Sequence, residues 1–282
     1  MKFSTIDIPA DLRPYIASVW SLNTGLQEKD SGGCPPERTV PVMPNEGALI
    51  VLYRSSRPLL LDGTPLPKAF LLGPSIGVRE VVCKGSVSMI GFELRAMASC
   101  VLFGHPPATP DDGPLVLEYI VDDGFVDLCR SFVRCYDLSD LAPAFFDLMR
   151  RKASAFDFGD FKHWMVKRMI AVIGDGTVPV SMSEVCRQVG LSQKTAQRYF
   201  QNFVGLSPKE YAGVVRFRTA LRAVRSCASK GSLQGTSDAC GYNSHPHMIM
   251  DFRHRVFCTP AEMRSLDSLI PEGFEVFLIP GD

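Results

Sequence analysis

Three of the protein's five histidines lie in one stretch, GYNSHPHMIMDFRHRV (Gly241–Val256). Imidazole and carboxylate groups are common metal ligands and common general acids and bases. His245 and His247 are two residues apart, which places them about 200° apart around a helix. His247 and His254 share a face with Asp251, but they are separated by roughly 10 Å along the helix axis. Paired ligands on one helix are best spaced three or four residues apart, so the sequence predicts no metal site here.

Catalytic patterns are equally absent from the sequence. It contains no phosphate-binding loop, no Gly-x-Ser-x-Gly turn and no supported pair of carboxylates. Cys100 and His105 are close in the chain, but Cys100 lies in an apolar run with helical spacing, Arg95–Phe103, and is expected in the core. We therefore predict a protein that is not an enzyme and that has no catalytic residues and no cofactor.

The charge of the chain is divided unevenly along its 282 residues, a length that favours two domains. The net charge is zero, yet residues 160–264 hold 15 Lys and Arg against 7 Asp and Glu, giving +8. Residues 1–159 hold 15 against 19, and residues 265–282 hold none against 4. A basic segment between acidic neighbours indicates a polyanionic partner for that segment, although a solvated basic surface would give the same count.

The cellular setting is predicted from the cysteines and the apolar runs. Nine cysteines without a Cys-x-x-Cys pair favour reduced thiols. The N-terminal residues lack the apolar segment of a signal peptide, and runs such as Ala48–Tyr53 are too short to span a bilayer. We expect a cytoplasmic protein with no membrane partner.

The first 120 residues predict strands and turns. Short apolar runs are separated by turn signals such as Pro44–Gly47. Val78–Cys83 and Val87–Leu94 flank Lys84-Gly85 and predict a hairpin. Helical spacing follows at Val121–Tyr136 and Leu138–Lys152. The fold class predicted for the whole chain is α+β: a β-rich region, barrel-like or an antiparallel sheet, with helices, then an all-α region.

The all-α region contains a repeated plan of short helix, glycine turn and second helix. In the first copy Gly190 forms the turn and Ser192 caps the second helix; in the second copy Gly241 forms the turn and Asn243 or Ser244 caps. A long helix, Pro208–Ala228, joins the copies. Small residues, Cys186 and Ser237, stand where two helices must cross closely. This is the arrangement of two helix-turn-helix modules in series.

Residues 160–265 resemble the C-terminal DNA-binding domain of the AraC/XylS family of bacterial transcription regulators. The motifs that carry the resemblance are L-S-x-x-T-x-x-R-x-F (Leu191–Phe200), G-x-S-P-K-E-Y (Gly205–Tyr211), R-x-x-x-A (Arg216–Ala220), Gly241-Tyr242, Phe252 and T-P-x-E-x-R (Thr259–Arg264). The N-terminal region is similar, more loosely, to sensor domains found ahead of such modules, through Pro9–Trp20, the M-P-N-E-G turn and Gly91–Arg95.

The first module presents long polar side chains on one face of its second helix, as major-groove reading requires. Glutamine pairs with adenine and Lys or Arg with guanine, and the predicted DNA-binding residues are Gln193, Lys194, Gln197, Arg198 and Gln201. The resemblance implies that Lys194, Gln197 and Arg198 touch bases. Tyr199 and Phe203 are expected in the core, with Phe200 at its edge. Ala196 departs from the larger apolar residue usual in the family.

The second module departs further from the family pattern. Its reading face would be His245, Pro246, Ile249 and Met250, with Met250 where the family usually has arginine. Neither Ile249 nor Met250 can hydrogen-bond a base, although Ile249 can touch a thymine methyl. We expect this module mainly to hold phosphates, through Arg253, Arg255 and His247.

The sequence therefore predicts a bacterial regulator that binds promoter DNA and is controlled by a small ligand. Residues 1–155 would bind an effector or mediate homodimerisation, residues 160–265 would bind DNA, and residues 266–282 would form a tail. RNA polymerase is an implied partner. No polar motif identifies the ligand-binding residues; an apolar pocket between sheet and helices is the expected site. The alternative is a regulator that acts through protein contacts, with weak or no DNA binding because the second module is degenerate.

Overall fold

The computed structural model describes residues 2–24, 37–104, 113–117, 123–174, 176–178, 180–226 and 232–266. In these residues a β-rich N-terminal region precedes an all-helical region, which confirms the α+β fold class. No helix in the described ranges combines the length and the apolar character needed to cross a bilayer. Residues 105–112, where His105 lies, and residues 267–282 of the predicted tail fall outside the description.

Two antiparallel sheets form the β-rich region. One has the order β1-β2-β9-β4-β7-β10 and the other the order β3-β8-β5-β6. The strands are β1 (Lys2–Thr5), β2 (Ile16–Asn23), β3 (Glu37–Val42), β4 (Leu49–Ser55), β5 (Leu60–Leu61), β6 (Thr64–Pro65), β7 (Ala69–Leu72), β8 (Arg79–Lys84), β9 (Val87–Leu94) and β10 (Leu115–Val116).

Strand β4 is buried on both faces, which explains its unbroken apolar sequence. Leu49, Val51 and Tyr53 point into the core between the two sheets. Ile50 and Leu52 point the other way, into a core shared with helices. Because side chains alternate across a strand, each face needs its own apolar set. The larger sheet is thus the middle of three layers.

The predicted hairpin across Lys84-Gly85 is wrong. β8 pairs with β3 and β5, whereas β9 pairs with β2 and β4, so the two strands belong to opposite sheets. Gly85 has a φ of 84°, which permits a sharp turn that side chains disfavour. Cys83 and Val87 on either side of the turn both point into the core between the sheets. The chain therefore passes from the smaller sheet at β8 to the larger sheet at β9, and each strand buries one of these side chains in the core between the sheets.

Helices cover the outer face of the larger sheet. They are α1 (Ala98–Phe103), α2 (Asp123–Arg134) and α3 (Leu141–Ala155). Phe145 of α3 stacks on Phe92 of β9, with ring centroids 4.1 Å apart. The helical spacing predicted for these parts of the chain is confirmed.

The all-helical region follows a short connection after α3. Its helices are α4 (Phe161–Ile173), α5 (Met182–Val189), α6 (Gln193–Val204), α7 (Pro208–Ser226), α8 (Leu233–Ala239), α9 (His245–Val256) and α10 (Pro260–Leu266). One core joins α4, α5, α6 and the start of α7, and a second joins the rest of α7 with α8, α9 and α10. Met97 and Met43 of the β-rich region each contribute to one of these cores, so the two regions pack together.

Candidate nucleic-acid interface

Helices α5 and α6 form the first helix-turn-helix module, and capping residues fix both ends. Ser181 caps α5 by accepting from the Glu184 amide at 3.2 Å. Gly190 ends α5 with a φ of 70°. Ser192 then caps α6 by accepting from the Thr195 amide at 3.2 Å, as predicted. A single residue, Leu191, separates these two caps, and this short turn sets the direction in which α6 leaves α5.

The buried face of α6 is centred on Ala196, Phe200 and Val204, all at most 2% exposed. The prediction that Phe200 lies at the edge of the core is therefore wrong, and Tyr199 and Phe203, expected inside, are half-buried and pack against that core. Phe200 lies at the centre of this core, where Tyr211 of α7 packs edge-on against its ring, with ring centroids 5.2 Å apart.

The opposite face of α6 carries the predicted reading residues. Gln193, Lys194, Gln197 and Arg198 are exposed. The Arg198 guanidinium lies 5.6 Å from the centroid of the neighbouring Tyr199 ring, which supports the stem of the side chain. Gln201 is half-buried, and its Nε2 donates to the Gly205 carbonyl at 3.2 Å, at the end of the helix. Four of the five predicted side chains are thus exposed on one surface of α6, and the partly buried Gln201 lies at the edge of that surface.

Helices α8 and α9 repeat this arrangement with an offset of 52 residues in the second helix. Ser244 caps α9 as Ser192 caps α6, and Phe252 is fully buried like Phe200. The helices that follow also begin alike. Ser207 and Glu210 exchange hydrogen bonds at the start of α7, and Thr259 and Glu262 do the same at the start of α10.

From its glycine to its capping serine, the turn of the second module (Gly241–Ser244) is one residue longer than that of the first (Gly190–Ser192), and Tyr242 lies within it. This tyrosine is 5% exposed, and its hydroxyl donates to Asp251 at 2.8 Å. Arg216 of α7 lies over its ring at 4.8 Å. Burial and the nearby Asp251 carboxylate raise the pKa of Tyr242 well above its ordinary value. The phenol is therefore a fixed donor that anchors the turn to α9.

The histidine-rich stretch is built around Asp251, which accepts from Tyr242 and from Arg255 Nε at 2.9 Å. His247 packs edge-on against the Tyr242 ring at 5.5 Å, and His254 is exposed. His245 is half-buried, and its Nε2 has no hydrogen-bond partner among the described residues. No group of three potential metal ligands occurs in the part of the chain that the structure describes.

The remaining predicted residues of α9 differ in their environment. Arg253 is exposed, Ile249 is half-buried and Met250 is 69% exposed. Arg255 is held between the two regions of the protein: its Nη1 donates to the Ile76 carbonyl at 2.7 Å, and its own carbonyl accepts from the Val78 amide at 2.7 Å. In this conformation the Arg255 guanidinium faces Asp251 and the β-rich region.

A buried charge cluster also joins the two regions, and no local pattern in the sequence indicates it. Arg218 of α7 is 3% exposed and lies 2.7 Å from Glu46 and 2.6 Å from Glu93. Burial is the largest influence on the pKa of Glu46 and would raise it, but the charge and hydrogen bond of Arg218, a backbone hydrogen bond and the charge of Arg222 together hold that pKa below its ordinary value. Ser18 donates to the other Glu93 oxygen at 2.8 Å.

Two small cavities lie in the β-rich region. One, of about 20 Å³, is apolar and lies between the two sheets, beside Trp20, Phe70 and Met89. The other, also of about 20 Å³, is lined by Ser18, Asn45 and Glu93 among others. The Asn45 Oδ1 atom is buried and has no hydrogen-bond partner in the described ranges. The second cavity therefore borders a carboxylate that also holds Arg218.

Comparison with known proteins bears on the helical region. Residues 185–265 match a family model described as a helix-turn-helix domain, which confirms the resemblance predicted for this part of the chain. None of the curated protein sequences matches the chain.

Similar solved structures include a transcriptional regulator with an AraC-type DNA-binding domain from Chromobacterium violaceum, with 22% identity, a TM-score of 0.34, and coverage of 38% of this chain and 95% of that chain. ToxT from Vibrio cholerae shows 11% identity and a TM-score of 0.48 over 94% of this chain and 98% of its own. ToxT with a bound unsaturated fatty acid shows 12% identity and a TM-score of 0.47 over 90% and 96%.

Proposed function

We propose, on the premise that residues 185–265 form an AraC-type helix-turn-helix domain, that this protein is a sequence-specific transcription regulator that binds promoter DNA. The observation that carries the proposal is the exposed polar stripe of α6, which contains Lys194, Gln197 and Arg198 at one surface. The residues that point the other way, Ala196 and Phe200, are fully buried and fix the rotation of the helix. A rigid helix with free donors on one face suits the major groove.

The net charge of the helical region supports the same partner. An excess of eight positive charges over residues 160–264 would attract the phosphate backbone and make binding salt-dependent. The proposal includes RNA polymerase and a second copy of the chain as further partners of the bound protein.

The test begins with selection of duplexes from a random pool by the full-length protein. Arg198→Ala should weaken binding to the selected site about 5- to 150-fold, the loss of one good contact to a base. It should also relax the preference at one base pair. Arg151→Ala, which removes an exposed arginine of α3, is the charge-matched control and should leave affinity unchanged.

Two outcomes would overturn the proposal. One is a folded full-length protein that binds no duplex, which would favour a regulator acting through protein contacts; the exposed Met250 and Phe257 are the surface that such a partner would use. The other is an equal effect of Arg198→Ala and Arg151→Ala on affinity.

We further propose that a small effector acts through the cavity beside Glu93. A ligand there would meet two acceptors, the unpartnered Asn45 Oδ1 and the Glu93 carboxylate, so it should carry hydrogen-bond donors. The present cavity has room for about one water molecule, so binding must shift the groups that line it, including Glu93, which is paired with Arg218. Ligand binding would thus change the contact between the two regions.

Thermal unfolding of the full-length protein across a panel of amine- and hydroxyl-bearing metabolites tests the effector. A true ligand raises the melting temperature of the wild type but not that of Asn45→Ala. Absence of any shift across the panel would contradict ligand control and favour a purely dimerising role for the N-terminal region.

A further inference from the structure

The surface of α9 differs in chemistry from the equivalent surface of α6. With the offset of 52 residues, Lys194, Gln197, Arg198 and Gln201 correspond to Pro246, Ile249, Met250 and Arg253. The spacing of three, four and seven residues puts each set on one stripe of its helix. The first stripe is polar throughout. The second has three apolar side chains followed by one arginine.

The apolar stripe is presented to solvent. Met250 is 69% exposed, Pro246 is exposed and Ile249 is half-buried. The helix beneath it is well anchored, because Met248 and Phe252 on the opposite face are fully buried and Ser244 caps the N-terminus. The exposure of these apolar side chains therefore does not result from loose packing of α9.

Phosphate binding alone does not account for this face. Of the three side chains expected to hold phosphates, Arg255 is bonded to Asp251 and to the Ile76 carbonyl, and His247 packs against Tyr242. Arg253 is the one of the three that stands exposed, and it lies at the end of the apolar stripe. The stripe itself offers no side-chain donor to a phosphate or to a base edge.

The base edge that rewards apolar contact in the major groove is the C5-methyl group of thymine. The flexible thioether of Met250 can follow a methyl group whose position varies with the DNA, and the β-branched Ile249 gives a stiffer wall beside it. Arg253, one turn further on, is placed to hold the backbone phosphate that fixes the depth of the helix.

We propose that the second module recognises thymine methyl groups through Met250 and Ile249, with Arg253 on the phosphate backbone. This inference rests on the proposed DNA-binding function and extends it to the type of base that the second half-site must contain. The first module then distinguishes bases by hydrogen bonds, and the second by methyl groups.

Replacement of thymine by uracil tests the inference directly, because it removes the methyl group and leaves base pairing and phosphates intact. Duplexes selected by the full-length protein are remade with uracil in one half-site at a time. Uracil in the second half-site should weaken binding about fourfold for each methyl group that the protein buries. Met250→Ala should weaken binding to the thymine duplex and show a reduced effect of uracil, which identifies the coupled pair.

Val133→Ala is the matched control, because it also truncates an exposed apolar side chain but lies on α2. It should keep the full effect of uracil. Equal binding to thymine and uracil duplexes, with Arg198→Ala still impaired, would overturn this inference and leave the proposed DNA binding intact. A selected second half-site with no A·T pairs would overturn it as well. Failure of the folded protein to bind any duplex would instead overturn the proposed function on which the inference rests.

Discussion

At the scale of single residues, Asp251 determines what the histidine-rich stretch does. Its carboxylate accepts from the Tyr242 hydroxyl and from Arg255, so it ties the turn of the second module to the end of α9. His247 and His254 flank this carboxylate in the sequence, but neither is hydrogen-bonded to it in the described contacts. The stretch is therefore organised as a hydrogen-bonded support for a helix.

His163 makes stability depend on pH. It is 5% exposed and lies among the rings of Phe156, Phe158 and Phe203. Burial, assisted by the positive charge of Lys167, lowers the pKa of His163 below its ordinary value. The folded protein therefore holds the neutral imidazole at a pH where the unfolded chain already binds a proton.

We predict that the free energy of unfolding is highest above pH 6.5 and falls as the pH drops from about 6.5 to the lowered pKa of His163. The fall is about 1.4 kcal/mol for each unit by which the pKa is lowered. Urea unfolding at a series of pH values should show this slope in the wild type and in His254→Gln, and lose it in His163→Phe. Persistence of the slope in His163→Phe would assign it to another group.

At the scale of elements, the two helix-turn-helix modules share their capping residues but differ in how tightly their turns are packed. Gly190 has a φ of 70°, and a Cβ added there would meet no heavy atom within 4 Å. Gly241 has a φ of 69°, and a Cβ there would lie 2.7 Å from the Gly176 carbonyl oxygen and 2.8 Å from that of Thr177. The segment after α4 therefore runs directly against the second turn.

Substitution of the two glycines by alanine should separate backbone strain from crowding. Gly190→Ala should cost about 1–2 kcal/mol of unfolding free energy, the cost of a left-handed conformation for a side-chain residue. Gly241→Ala should cost a further 1–3 kcal/mol, because the clashing atoms belong to the backbone and cannot rotate away. Urea denaturation followed by circular dichroism measures both. Equal losses would show that the segment at Gly176 moves aside easily.

Local sequence signals predict the helices of both modules, whereas the two incorrect predictions, the depth of Phe200 and the hairpin at Gly85, depend on long-range packing. Ser192 identified the start of α6 because a side-chain cap acts within three residues. The depth of Phe200 was misjudged because it depends on Tyr211, which comes from the next helix. The crossing at Gly85 has the same origin, because the partners of β8 and β9 in β2, β3 and β4 lie at least 32 positions away and those of β8 in β5 lie 20 or 22 positions away.

At the scale of the whole molecule, Arg218 forms a buried ionic link between the β-rich and helical regions. It lies with Glu46 and Glu93 in a buried site, whereas the pair of Arg187 and Glu184 on α5 has similar geometry at the surface. The sequence could not predict the buried cluster, because Arg218 and Glu46 are 172 positions apart.

Neutralisation of each arginine should show how much the environment matters. Arg218→Met removes the cation that lies between two buried carboxylates, and should cost about 3–5 kcal/mol. Arg187→Met removes an exposed partner and should cost at most about 1 kcal/mol. Urea unfolding of both variants at neutral pH gives the comparison. A small loss in Arg218→Met would mean that the regions separate and let water reach the carboxylates.

Arg255 gives the contact between the regions a thermodynamic consequence. Its guanidinium donates to the Ile76 carbonyl of the β-rich region, while the sequence predicts that the same side chain holds a DNA phosphate. If both roles hold, the two acceptors exclude each other at this residue, and coupling between them is reciprocal. Whatever tightens the contact at Ile76 then weakens the hold on DNA by the same factor, and DNA loosens that contact in return.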